Sequence, residues 1–145
     1  MERPAWAPRS IDISVPSVAR IYDYYLGGSH NFEVDREAAR RAMGHLPGLP
    51  KIMQANRAFM RRAVRFALDE GVTQFLDIGS GIPTFGNVHE VAQAARPGSR
   101  VVYVDHDPVA VTHSEAVLAG NDDADVVAAD LRKPRDILRA PDCAP

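Results

Sequence analysis

Residues 74–84 read Gln-Phe-Leu-Asp-Ile-Gly-Ser-Gly-Ile-Pro-Thr, and this stretch decides the fold. Residues 73–78 are mostly apolar and end at a turn signal, which predicts a buried parallel strand. The Gly-Ser-Gly of residues 79–81 predicts a sharp turn, and a helix is predicted over residues 85–95. A strand, a glycine turn and a helix N-terminus together favour a site for a polar ligand, because free amides and the helix dipole orient it.

The glycine pattern departs from the dinucleotide fingerprint G-x-G-x-x-G. Thr84 stands where the third glycine would allow tight helix–strand packing under a pyrophosphate. Asp77 stands just before the glycines. An acid at this place favours a ligand that carries an ammonium group and no pyrophosphate. The alternative interpretation is a tight strand–helix connection with no ligand.

Composition is that of an ordinary soluble globular protein. The 145 residues allow one domain, with 46% hydrophobic and 25% charged residues. The net charge of −2 is uneven: residues 1–71 hold 11 Lys/Arg against 8 Asp/Glu, and residues 72–145 hold 6 against 11. An acidic second half is a poor surface for a phosphate backbone, so we expect no nucleic-acid partner.

The single cysteine, Cys143, allows no internal disulfide and no cysteine metal cluster. This fits a reducing compartment, and we expect a cytoplasmic protein without a metal site. No apolar run approaches the roughly 20 residues of a membrane helix, and the N-terminus does not resemble a secretory signal. We therefore expect no membrane association.

Three regions are predicted along the chain. Residues 1–16 form an extended arm, residues 17–71 a helical N-terminal extension, and residues 72–145 the first half of a Rossmann-like domain. Within the extension, helices are predicted over residues 17–26, 35–46 and 51–70. Helical spacing in the first helix relates Val18, Ile21, Tyr22 and Tyr25, and two interpretations stay open: the aromatic residues pack a lid helix on the core, or they contact a ligand directly.

The helix predicted over residues 51–70 has two faces. Its apolar face, which we expect to pack on the core, consists of Ile52, Ala55, Phe59, Ala63, Phe66 and Ala67. Its cationic face consists of Arg57, Arg61, Arg62 and Arg65. We expect the cationic face to be solvated; the alternative is that one arginine reaches the carboxylate of a ligand.

From residue 73 onward, strands and helices alternate. Strands are predicted over residues 73–78, 100–105 and 124–129, with helices over 85–95, 108–119 and after Pro134. This alternation predicts a doubly wound parallel α/β sheet, and right-handed crossovers give the strand order 3-2-1.

Polar residues follow all three strands, at one edge of the predicted sheet. Asp105, 24 residues after Gly81, is suited to accept hydrogen bonds from vicinal ribose hydroxyls. Asp130 could accept from an exocyclic amine, Leu131 could read the base edge through its backbone amide, and His106 could cover the base ring. Each acid alone could instead cap a helix, but three strand ends together indicate an adenosine site.

These residues resemble the class I S-adenosylmethionine-dependent methyltransferases, and more closely the actinobacterial S-adenosyl methyltransferase group, once a domain of unknown function. The matching segments are residues 19–28, 31–32, 56–59, 74–84, 101–108 and 129–132. The resemblance implies S-adenosylmethionine as cofactor, with Gly79 and Gly81 along the methionine and Asp77 steadying the ammonium. It also implies that Asp105 holds the ribose and Asp130 the adenine amine.

The resemblance breaks at the end of the chain. The class I core has seven strands in the order 3-2-1-4-5-7-6, and this sequence contains strands 1 to 3. Strand 4, whose end normally lies next to the reactive methyl, would pair with strand 1, so catalytic residues and the small-molecule acceptor stay unknown. We expect a truncated sheet whose free edge invites pairing with a second copy, together with weak cofactor binding and little turnover.

Two other functions remain open at this point. Asp105 would also suit the ribose of a nicotinamide cofactor, which would make the protein an oxidoreductase; the missing third glycine argues against this function. The missing strands instead favour a non-catalytic binding module derived from a methyltransferase.

Overall fold

The computed structural model describes residues 4, 5, 7, 9 and 11–141, so Cys143 lies outside the described residues. Apart from the start of α4, the predicted bounds lie within two residues of those observed. The elements are, in order, α1 (Val18–Tyr25), α2 (Glu33–His45), α3 (Leu49–Asp69), β1 (Gln74–Ile78), α4 (Val88–Ala95), β2 (Arg100–Asp105), α5 (Pro108–Leu118), β3 (Ala124–Ala128) and α6 (Pro134–Leu138).

The three strands form one parallel sheet in the predicted order, with β2 between β1 and β3. Gln74 pairs with Arg100, and Val101 pairs with Ala124. Parallel pairing brings the carboxyl ends of the strands to one edge, so the segments that follow them meet there. The chain is therefore a Rossmann-like α/β fold with a three-stranded parallel sheet and N-terminal helices, which confirms the predicted fold class.

The main core lies between one face of the sheet and helices α3, α4 and α5. Its buried members are Val64, Leu68, Val88, Val91, Ala92, Val101, Tyr103 and Leu118. Because α3 belongs to the N-terminal helices, these helices share a core with the sheet. In the part of the chain that the structure describes, no helix is long and apolar enough to cross a membrane.

A buried polar network joins the N-terminal helices to the start of α5. Arg20 is 3% exposed, and its Nε donates a hydrogen bond to Oδ2 of Asp35 over 2.8 Å. Its Nη1 lies 3.9 Å from Oδ2 of Asp107, which also accepts a hydrogen bond from the Ser17 hydroxyl. Buried charges are tolerated when they are paired, so this network fixes α1 against the turn that follows β2.

Helix α3 presents the face opposite to the one predicted. Ile52, Phe59 and Phe66 are 48%, 61% and 67% exposed, whereas Val64 and Leu68 are buried in the core. The helix has apolar residues on two sides, because Met60, Val64 and Leu68 form a second stripe at helical spacing. Periodicity does not distinguish the two stripes, and the prediction that the first one packs on the core was wrong.

Strand β1 is less buried than predicted, because one of its two faces is uncovered and it lies at an edge of the sheet. The side chains of Leu76 and Ile78 are 42% and 48% exposed. No other strand of the described residues pairs with the outer edge of β1. An apolar strand is buried on both faces only where other elements cover both faces of the sheet.

Helix α4 begins at Val88 rather than at Phe85. The Glu90 carboxylate accepts backbone hydrogen bonds from Gly86 (2.7 Å) and Asn87 (2.9 Å), which makes Asn87 the N-cap and Val88 the first residue of the helix. Gly86 has a φ of +71°, outside the helical region. As a result, residues 82–87 separate the glycine turn from the helix N-terminus.

Candidate functional site

A cleft of about 770 Å³ lies at the carboxyl ends of β1 and β2. This volume is within the usual range for small-molecule sites. Helices α1 and α3 form one wall of the cleft, through Tyr22, Asn56 and Met60 among others. Seven of the eight residues predicted from the sequence line it: Asp77, Gly79, Ser80, Gly81, Asp105, His106 and Leu131.

The glycine turn at residues 79–81 has a backbone conformation that favours glycine at two positions. Gly79 and Gly81 have φ values of +75° and +70°, a region that other residues enter at a cost. A Cβ added to either glycine would meet no other atom within 4 Å. Conformation rather than crowding therefore demands glycine here, and the space beside the turn is open to a ligand.

Asp105 ties the glycine turn to the end of β2. Its side chain is 7% exposed, and its two oxygens accept backbone hydrogen bonds from Gly81 (2.7 Å) and Asp107 (2.9 Å). A carboxylate has about four acceptor positions, so these two bonds leave capacity for ligand hydroxyls. The structure thus places a fixed carboxylate at the position predicted for a ribose acid.

Asp77 and Arg57 supply opposite charges to the same cleft. Burial raises the pKa of Asp77 above the ordinary carboxyl value, the Arg57 guanidinium acts in the opposite direction, and the Asp105 charge adds to the increase. A partly desolvated carboxylate is stabilised in its charged form by a nearby cation. Asp77 is therefore suited to bind a cationic group of a ligand.

Asp130 is the predicted site residue that the structure does not bring into the cleft. Its carboxylate is paired with Arg132, whose Nη2 lies 2.6 Å from Oδ2. Hydrogen bonds from Arg132 hold the pKa of Asp130 well below its usual range. The next residue, Leu131, does line the cleft. The predicted contact with an adenine amine would require Asp130 to leave its ion pair.

His106 lines the cleft from the end of β2, and its side chain is 77% exposed. Its Nδ1 lies 3.7 Å from Oδ1 of Asp105. The ring thus lies exposed beside the Asp105 carboxylate, and its placement over a base ring stays a prediction. No group of three or more metal-ligating side chains capable of holding a metal ion occurs among the described residues.

The sequence leaves the contribution of the N-terminal helices open, because it supports ligand contact by Tyr22 and packing of α1 on the core equally, and it gives Asn56 no role. Tyr22 in α1 accepts a hydrogen bond from Nδ2 of Asn56 in α3 over 3.0 Å, and both residues line the cleft. Both lie in segments that carry the family resemblance, residues 19–28 and 56–59, but nothing in their spacing assigns them to a site. Only the packing of α1 on α3 brings them beside the glycine turn.

The fold and this cleft define the class of the protein as a Rossmann-like α/β domain with a candidate ligand site beyond its strand ends. A sequence model of the S-adenosyl methyltransferase family matches residues 4–145. The chain therefore belongs to the S-adenosyl methyltransferase family, which confirms the resemblance seen in the sequence.

Two crystal structures are similar to this chain. A candidate methyltransferase from Thermobifida fusca YX is 48% identical, with a TM-score of 0.92 over 97% of this chain. A DUF574 family protein from Streptomyces avermitilis MA-4680 is 46% identical, with a TM-score of 0.85 over 90% of this chain. The matches cover 53% and 51% of those proteins, so this chain spans about half their length. No curated protein matches this chain.

Proposed function

We propose that this chain is the cofactor-binding half of an S-adenosylmethionine-dependent methyltransferase. The observation that carries the proposal is the Asp105 carboxylate, which is buried at the end of β2 and bonded to the Gly81 amide. One cleft thereby combines an acceptor for ribose hydroxyls with a glycine turn beside it. Membership of the S-adenosyl methyltransferase family supports the same cofactor.

The residues of the cleft fit the parts of this cofactor. Asp105 would accept from the ribose, and Asp77 would bind the ammonium, directly or through water. The open space at Gly79 and Gly81 would take the methionine chain. The Ser80 hydroxyl is buried and has no hydrogen-bond partner among the described residues, so it is available to a polar ligand group.

The base would lie toward His106 and Leu131, which line the same cleft. The exposed His106 ring would cover the base, and the Leu131 amide would read its edge. The Asp130 contact with the adenine amine stays a prediction, since Arg132 occupies that carboxylate.

S-adenosylmethionine supplies a methyl group that is activated by its sulfonium. The contribution of the residues assigned here is binding and orientation, which lower the barrier by fixing the geometry of the reacting groups. The acceptor is expected to be a small molecule, and none of the residues assigned here acts on it.

Isothermal titration calorimetry with S-adenosylmethionine, S-adenosylhomocysteine and NAD⁺ tests the proposal. We expect saturable binding of the first two ligands and none of NAD⁺, because the third glycine of the dinucleotide pattern is absent. Binding of NAD⁺ with no response to either S-adenosyl compound, in protein shown by circular dichroism to be folded, would overturn it. That result would favour an oxidoreductase.

A further inference from the structure

Helix α3 places Arg57 in the wall of the cleft, beside Asp77 and the glycine turn. Nη2 of Arg57 donates hydrogen bonds to Oγ1 of Thr84 and Oδ1 of Asn87, each over 3.1 Å. These two bonds fix the guanidinium against the segment that precedes α4. All four arginines of α3 are described, and Arg57 alone among them lines the cleft.

Two buried donors at this place lack a partner. Within the described residues, neither Nε of Arg57 nor Oγ of Ser80 makes a hydrogen bond. Both residues also line a smaller cavity of about 10 Å³ that adjoins Asp77, enough for one water-sized group. Buried donors are unfavourable unless an acceptor meets them, so the pair is suited to an oxygen atom from a ligand or a water.

The charges identify the ligand group. Asp77 and Arg57 line both the cleft and the small cavity, so an acidic and a basic side chain lie close together there. An α-amino acid carries an ammonium and a carboxylate on one carbon, which matches such a pair. A guanidinium also forms charge-assisted hydrogen bonds to carboxylates, and here Nε has no partner among the described residues while Nη2 donates to Thr84 and Asn87.

We infer that Arg57 binds the carboxylate of the cofactor's amino-acid end, with the Ser80 hydroxyl as a second donor. The inference rests on the proposed function and extends the site beyond the strand ends. It gives the N-terminal helices a direct part in cofactor binding. It also selects the alternative left open by the sequence, that one arginine of α3 reaches a ligand.

Three ligands that differ in their amino-acid end test the inference by calorimetry: S-adenosylmethionine, its decarboxylated form and methylthioadenosine, which lacks the amino-acid portion. For the unmodified chain, we expect decarboxylation to weaken binding at least about tenfold. The Arg57→Gln variant should weaken S-adenosylmethionine binding about 10- to 100-fold. Its affinities for the other two ligands should change less than about twofold, since they lack the carboxylate.

Two further variants serve as controls. Arg65→Gln removes the same charge from an exposed position of α3 and should leave all three affinities unchanged. Arg57→Lys keeps the charge without the planar fork and should restore part of the lost affinity for S-adenosylmethionine.

The outcomes separate three possibilities. A selective loss for the ligand with a carboxylate supports the inference. An equal loss for all three ligands, or none, would overturn it, because Arg57 would then serve only to hold Thr84 and Asn87 or a structural water. If the unmodified chain binds neither S-adenosylmethionine nor methylthioadenosine, the proposed function itself fails.

Discussion

The two sides of strand β1 differ in how completely the described chain covers them. On the inner side, β1 pairs with β2 from Gln74 to Ile78, and the glycine turn continues this attachment through Gly79, whose amide donates to the Val104 carbonyl over 2.7 Å. On the outer side, β1 forms one edge of the sheet, and one of its two faces is uncovered, since Leu76 and Ile78 are 42% and 48% exposed. The strand thus leads into the cleft at its carboxyl end and leaves an exposed apolar face, with no pairing strand on its outer edge among the described residues.

The candidate cofactor cleft and the uncovered side of β1 thus lie in separate parts of the molecule. The glycine turn and Asp105 are fixed by hydrogen bonds to each other, to Val104 in β2 and to Asp107 before α5. The outer edge of β1 and the exposed stripe of α3 at Ile52, Phe59 and Phe66 contribute nothing to those bonds. We therefore expect changes on the inner side to affect ligand affinity, and changes on the outer side to affect association.

The largest effect is expected from Asp105→Asn. The amide would place an N–H against the Gly81 or Asp107 N–H and would weaken the contact with ribose. We expect affinity for S-adenosylhomocysteine to fall about 10- to 150-fold and the free energy of unfolding by about 1–3 kcal/mol. Calorimetry and urea denaturation measure the two quantities. Asp122→Asn, in an exposed turn, is the control, and equal affinities of the two variants would contradict the assigned role.

A smaller effect is expected from Gly81→Ala. The φ of +70° at Gly81 is unfavourable for alanine, so the free energy of unfolding should fall by about 1–2 kcal/mol. The new methyl would also enter the open space beside the turn and weaken ligand binding.

Gly44→Ala is the matched control for this glycine. Gly44 lies in α2 without a positive φ, and a Cβ there meets no atom within 4 Å. Alanine should stabilise the protein by up to about 1 kcal/mol, because it is the better helix former. Equal changes in urea denaturation for the two variants would show that the turn at Gly81 does not require glycine.

The smallest effect on affinity is expected from Leu76→Lys, on the exposed face of β1. We expect the unmodified chain to self-associate through the edge of β1 at high concentration, and a charge there to reduce the association. Size-exclusion chromatography with light scattering measures the mass, with Val117→Lys on the exposed surface of α5 as control. A monomeric unmodified chain would contradict the expected pairing. A loss of cofactor affinity in Leu76→Lys would contradict the expectation that the exposed face of β1 does not affect ligand binding.

The sequence predicted the sheet and most of the cleft because the relevant signals are local. Each strand is an apolar run that ends in a glycine turn or an acid, and parallel connection brings those ends together. Asp105 and the glycine turn therefore could be placed without knowledge of packing. Their positions were predicted as neighbours, and the bond between Asp105 and Gly81 joins them directly.

The remainder depends on contacts between distant parts of the chain. Arg57 reaches the cleft only because α3 packs with its second stripe inward, and helical periodicity fits either stripe equally well. The pairing of Asp130 with Arg132 joins residues that are close in sequence. Whether a ligand can displace Arg132 from this carboxylate depends on the geometry of the folded site. The exposure of Leu76 depends on what covers that face of the sheet, which the strand's own composition does not reveal.

The most direct test of the central claim is a crystal structure of this chain with S-adenosylhomocysteine. We predict that the ribose hydroxyls lie about 3 Å from the Asp105 carboxylate, with the amino-acid end beside Gly79 and Gly81. A nucleoside bound away from Asp105, with the glycine turn left untouched, would contradict the account.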